Sequence, residues 1–119
     1  EIAPVCNEHS WTGGSSMQTA AVVAQFVGTK GPILRVDTAC SSSLVATATA
    51  DHDLRMRPLG SANMVQAIMT QNDPFGFCGL CQIGMLSKKG RCFTFDNASD
   101  GFAKGEGCSA IYMEYEGKE

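Results

Sequence analysis

Val36-Asp37-Thr38-Ala39-Cys40-Ser41-Ser42-Ser43-Leu44-Val45-Ala46 is the stretch on which the reading of the fold turns. Ahead of it, Gly31-Pro32 opens a short β-prone apolar run of Ile33, Leu34 and Val36. Behind it, Leu44 to Arg55 is rich in Ala and Leu and holds neither Gly nor Pro. The pattern predicts a strand that hands over to a helix, with Cys40 at the junction. There the unpaired N–H groups and the positive end of a helix dipole stabilise negative charge on sulfur. Ser41, Ser42 and Ser43 suit the same place, because small hydroxyl residues cap helix starts and leave room around a reacting group. A nucleophile fits this position. So does an inert, buried thiol, since free cysteines are among the most buried residues.

Working outward, Glu1 to Ser16 mixes polar residues with Pro4, Trp11, Gly13 and Gly14, a loop that leads to a helix starting near Ser15 or Ser16. Met17, Ala20, Ala21, Val23, Ala24 and Val27 give that helix an almost all-round apolar surface, which predicts a place inside a layered core. Gly28 supplies its stop. After Cys40 the helix is expected to reach about Arg55 and to end at Arg57-Pro58-Leu59-Gly60. Asn63 to Met69 reads as a buried strand, and Asp73-Pro74-Phe75-Gly76 as a turn. Phe77 to Leu86 reads as a short helix or an irregular lid, with Phe75, Phe77, Met85 and Leu86 available either to fill core or to face an apolar ligand. Ser87 to Gly90 and Asp100-Gly101 read as turns, Phe93 to Asp96 as extended, and Cys108 to Tyr115 as a strand. Helices alternating with strands predict an α/β layer.

The 119 residues, 44% of them hydrophobic, suffice for one modest core or part of one. A start without Met at Glu1-Ile2 and a stop soon after a strand-like run suggest an excised piece. Nine basic against twelve acidic residues leave a net charge of −3, the wrong sign for a general phosphate-backbone binder. No stretch approaches the ~20 apolar residues of a membrane span, and no signal-peptide pattern is visible. Six cysteines raise the question of metal or disulfides. Cys78-Gly79-Leu80-Cys81 is a CxxC to which Cys92 and Cys108 could add, but the later spacing is irregular for a zinc ribbon and no histidine completes a finger. No metal site is expected. No G-x-S-x-G surrounds the serines, which argues against a serine hydrolase.

Asp37 to Ala46 resembles the active-site signature of the β-ketoacyl synthase (ketosynthase) domains of modular polyketide synthases and related fatty acid synthases. Thr12-Gly13, Gly28 and Gly31-Pro32 resemble the segment leading into that signature. Gly84-Met85-Leu86-Ser87, Gly90-Arg91-Cys92, Phe95-Asp96, Asp100-Gly101-Phe102 and Gly105-Glu106-Gly107 resemble the loop and strand that follow it. The likeness runs over nearly the whole chain, residues 1–119, as a fragment of a ketosynthase N-terminal domain. It implies a partial thiolase-like αβαβα fold, the N-terminal half only.

The resemblance implies that Cys40 is the catalytic residue. It would take an acyl group from the phosphopantetheine arm of an acyl carrier protein, with no further cofactor, before a decarboxylative Claisen condensation with a malonyl-type extender. The Cys40 N–H is the candidate oxyanion donor. The family's two catalytic histidines lie in motifs beyond Glu119. His9 and His52 match neither, and on an unbroken helix His52 would lie roughly 18 Å from Cys40. Substrate-binding residues stay unassigned. Lys88, Lys89, Arg91 and Lys104 are either a solvated loop or a docking patch for the carrier protein. The family further implies a homodimer in which the strand ahead of Cys40 pairs near the two-fold axis. It also implies an intracellular, cytoplasmic setting, with a targeting segment ahead of Glu1 left open. A fatty-acid enzyme and a non-catalytic ketosynthase-like partner are the alternatives. The chain departs from the family at Val22 and Ala24, where Arg and Ser are usual, and at Val65-Gln66, where a Gly-Gly pair is usual; larger side chains there would alter the shape of the pocket.

Overall fold

The computed structural model describes residues 15–72 and 74–117, which fall into two compact units, one ending at Val45 and the other beginning at Ala46. In the first unit, helix α1 spans Ser16–Val27 and stops where expected. Gly28 takes the left-handed conformation at φ 81, and the amides of Gly28 and Thr29 both donate to the Ala24 carbonyl at 2.9 Å. The expected burial of this helix is not found. Phe26 is 91% exposed, and Val22 and Val27 are exposed as well. A helix buries its apolar surface only against a second layer, and residues 15–45 place no other complete helix or strand there. Val22, where the family carries Arg, therefore projects outward, whereas Ala24 is half-buried.

The strand expected ahead of Cys40 is also absent among the described residues. Residues 32–38 take no ladder partner, and Ile33 and Leu34 are exposed. β-propensity alone does not make a strand; an adjacent backbone has to supply the ladder. The chain then turns through a single 3-10 turn, Ala39–Ser41, into helix α2, Ser42–Arg55, which carries it into the second unit.

The second unit is built on an antiparallel pair, β1 Ala62–Met69 and β2 Gly107–Glu114, in register from Ala62 opposite Glu114 to Met69 opposite Gly107. Both strands stand where the alternation of the sequence puts them. Hydrogen bonds close the ladder at each end. Gly60 N–H donates to the Tyr115 carbonyl and Tyr115 N–H to the Ser61 carbonyl, both at 3.0 Å, while Gln71 N–H donates to Glu106 Oε1 at 2.6 Å. The last turns of α2 are pinned to the start of β1 by Asn63. Its Nδ2 donates to the Ala50 carbonyl at 3.1 Å and to Asp53 Oδ2 at 2.9 Å, and Asp53 also accepts from Arg57 Nε at 2.6 Å.

Among the described residues, Leu54 from α2, Val65 from β1 and Leu86 from the β1–β2 connection are the buried apolar ones, so β1 is lined by core at Val65 rather than buried along its length.

Within that connection the turn expected at Asp73 to Gly76 is replaced by helix α3, Pro74–Gln82; Asp73 itself lies outside the described residues. Proline opens a helix readily, because its missing N–H would be unsatisfied there in any case. Phe93 to Asp96 is not extended. Phe93 and Phe95 have φ of 49° and 62°, and Asp96 N–H folds back onto the Phe93 carbonyl at 3.0 Å. Ser87 to Gly90 is the expected turn, with the Gly90 N–H on the Ser87 carbonyl at 3.2 Å. Among the described residues no helix is long and apolar enough to cross a membrane.

Candidate active site

Cys40 occupies the middle of the 3-10 turn that leads into α2, and it is exposed. A sealed apolar position, the inert alternative, is not what the fold gives it. The turn is made by the residues around the sulfur. Ala39 adopts φ 55, the left-handed region that costs an L-residue roughly 1–2 kcal/mol. Asp37 Oδ1 accepts the Ala39 N–H at 3.3 Å, an Asx turn, while Asp37 Oδ2 accepts from Arg35 Nη2 at 3.2 Å.

Ser42 Oγ accepts the Thr38 N–H at 2.8 Å and donates to the Ala39 carbonyl at 2.7 Å. Ser41 Oγ reaches back to the Thr38 carbonyl at 2.9 Å and to Thr38 Oγ1 at 3.0 Å. Beyond the capping and the space that the serine run is expected to supply, its hydroxyls hold the three peptide units that run from Asp37 to Cys40. The sequence signal for this lies in the Asp at position 37, whose side chain commonly binds the N–H two residues on. Among the described residues the Cys40 N–H donates to no backbone carbonyl.

The other candidates disperse. His52 is exposed on the last turn of α2, and His9 lies outside the described residues, as do Cys6, Thr12 and Gly13. Cys78, Cys81, Cys92 and Cys108 are all exposed free thiols, and Cys92 Sγ accepts the Ala103 N–H at 3.3 Å. Among the described residues no three His, Cys, Asp or Glu side chains converge as a metal site would require. Phe75, Phe77 and Met85 are exposed, whereas Leu86 belongs to the core. Of the four cations, Lys89 and Arg91 both approach the ring of Phe93, at 5.2 and 5.1 Å from its centroid. Lys88 is exposed, and Lys104 is half-buried.

Fold and site together define a partial α/β protein that presents an exposed thiol on a tight elbow between coil and helix. Residues 5–118 match the family model described as "Beta-ketoacyl synthase, N-terminal domain", and the chain belongs to that family. It is 39% identical over 103 residues to polyketide synthase PksL of Bacillus subtilis, covering 87% of this chain and 2% of that protein. It is 37% identical over 106 residues to a phenolphthiocerol/phthiocerol polyketide synthase of Mycobacterium tuberculosis, covering 89% of this chain and 7% of that one. A solved ketosynthase from module 6 of the bacillaene synthase of Bacillus subtilis, determined as a cysteine-to-serine mutant, superposes with a TM-score of 0.78 at 36% identity. That match covers 92% of this chain and 20% of the solved one, so the chain spans about a fifth of its length. The thiolase-like fold expected from the sequence is thus the fold found, in part, and its type is that of a polyketide synthase ketosynthase.

Proposed function

We propose that Cys40 is the acyl-accepting nucleophile of a polyketide ketosynthase, and that these residues work within a longer domain of the family. The sulfur attacks the carbonyl of an acyl thioester carried on the phosphopantetheine arm of an acyl carrier protein. The new C–S bond forms to Cys40 and the pantetheine thiolate leaves. Loss of CO₂ from a malonyl-type extender then gives an enolate, which attacks the Cys40 thioester and returns the thiolate. The Cys40 N–H, which no backbone carbonyl takes among the described residues, is the group offered to the developing oxyanion. The pantetheine arm brings the substrates, and the chemistry calls on no other cofactor. The carrier protein is the proposed partner, with the Lys89 and Arg91 side chains around Phe93 as its acidic-surface contact.

The observation that carries this reading is the exposed Cys40 on a turn built around a left-handed Ala39. Nothing in residues 15–117 supplies the family's two histidines, so the isolated chain is expected to be alkylated or acylated at Cys40 without condensing anything. Limited iodoacetamide labelling with mass mapping tests this. Cys40 should label first, and faster labelling of Cys78 or Cys92 would sink the assignment.

A further inference from the structure

The elbow holds more polar contacts than the start of a helix needs. The Ala39 N–H ends on a side chain, Asp37 Oδ1, and its carbonyl takes the hydroxyl of Ser42 beside the Ser42 backbone N–H. That hydroxyl is used twice. A lone pair takes the Thr38 N–H at 2.8 Å, and its single proton goes to the Ala39 carbonyl at 2.7 Å. One side chain from the first residue of α2 therefore ties the Asp37–Thr38 peptide to the Ala39–Cys40 peptide. Released from these anchors, Ala39 would relax toward the right-handed region, and the peptide that carries Cys40 would turn with it.

We infer that Ser42 and Asp37 are positioning residues for Cys40, holding Ala39 left-handed so that the thiol and its N–H stand clear of the helix. This rests on Cys40 being the nucleophile for its meaning in acyl transfer, but the conformational part stands on the hydrogen bonds alone. The exposed Cys108 on β2 gives an internal reference thiol in the same molecule. The test measures the ratio of Cys40 to Cys108 alkylation by iodoacetamide, together with the backbone chemical shifts of Ala39, in the full chain and in three variants.

Asp37→Ala should lower the ratio roughly fivefold, the scale set by losing its one hydrogen bond to Ala39, and Ser42→Ala, which loses two, by at least as much; both should move the Ala39 shifts out of the left-handed range. Ser42→Thr keeps the hydroxyl and should restore both readouts to near the parent values. The inference is overturned if Ala39 stays left-handed and the ratio holds in both alanine variants. If Cys40 reacts no faster than Cys108 in the parent, the nucleophile assignment fails separately, while a shift of Ala39 in Ser42→Ala still supports the anchoring. A variant that unfolds brings all thiols to one rate. The other anchor, removed singly in a folded chain, then decides the matter.

Discussion

In Gly101→Ala a methyl group enters a place where three backbone atoms already stand, 2.6 Å from the Leu86 carbonyl carbon, 2.6 Å from the Ser87 nitrogen and 2.7 Å from the Met85 oxygen. None of these can swing aside as a side-chain end would. Two of them are also engaged in the crossing of the chain at Leu86 and Phe102, because Ser87 N–H donates to the Phe102 carbonyl and Phe102 N–H to the Met85 carbonyl, each at 3.0 Å. The φ of 141° at Gly101 is itself a region that residues with a Cβ avoid. Overpacking against atoms that cannot relax costs ~1–3 kcal/mol, and a backbone held in a sparsely populated region adds ~1–3 kcal/mol.

The sum, about 2–6 kcal/mol, corresponds at ~4–8 °C per kcal/mol to a fall in Tm of roughly 10–50 °C for a unit of this size. Gly79→Ala is the matched control. Gly79 lies inside α3 with nothing within 4 Å of an added Cβ, so the same methyl should stabilise by ~0.5–1 kcal/mol. Thermal and urea unfolding followed by circular dichroism would measure both. A Gly101→Ala chain that melts within about 2 °C of the parent would refute the clash, and so would two glycines that respond alike.

Leu54 is 3% exposed at the centre of the second unit, so Leu54→Ala should cost ~2–5 kcal/mol in urea unfolding. Phe95→Ser, at a ring fully open to solvent, should change stability by less than ~0.5 kcal/mol; equal effects would mean that Leu54 is not core. Asp53 is held below the ordinary carboxylate range, first by the hydrogen bond from Arg57 and then by that from Asn63. A depressed value in the folded state stabilises fully above the unfolded carboxylate pKa of about 3.9, and that contribution fades as pH falls through the folded value. Asp53→Asn should therefore melt below the parent at pH 7 and converge on it under more acid conditions than that. A gap that is the same at pH 7 and in strong acid would contradict this.

Much of the local structure was legible because its causes are local. The Ala-rich run without Gly or Pro gave α2, Gly28 gave the end of α1, and the alternation from Cys108 onward gave β2. The failures share a different cause. Ile33, Leu34 and Val36 have the composition of a strand but no ladder partner, and the apolar faces of α1 meet no second layer within residues 15–45. Pairing and burial are decided by residues distant in sequence, which a local pattern cannot contain. Cys40 was legible as a junction thiol. The left-handed Ala39 was not, because alanine gives no hint of positive φ, and its anchors are side chains on either side, Asp37 and Ser42.

The same distinction bears on Val65-Gln66, where the family usually has two glycines. Neighbouring residues of a strand project to opposite faces. Val65 stands opposite Ile111 in the ladder and is 8% exposed, so its side chain is absorbed by the core of the second unit. Gln66 stands opposite Ala110 and is half-buried on the other face. A backbone that approached β1 closely where the family has glycine would therefore meet different obstacles at the two positions. At Val65 the side chain is already buried. The departure therefore adds apolar bulk to the core of the second unit at Val65 and a polar side chain to the opposite face at Gln66.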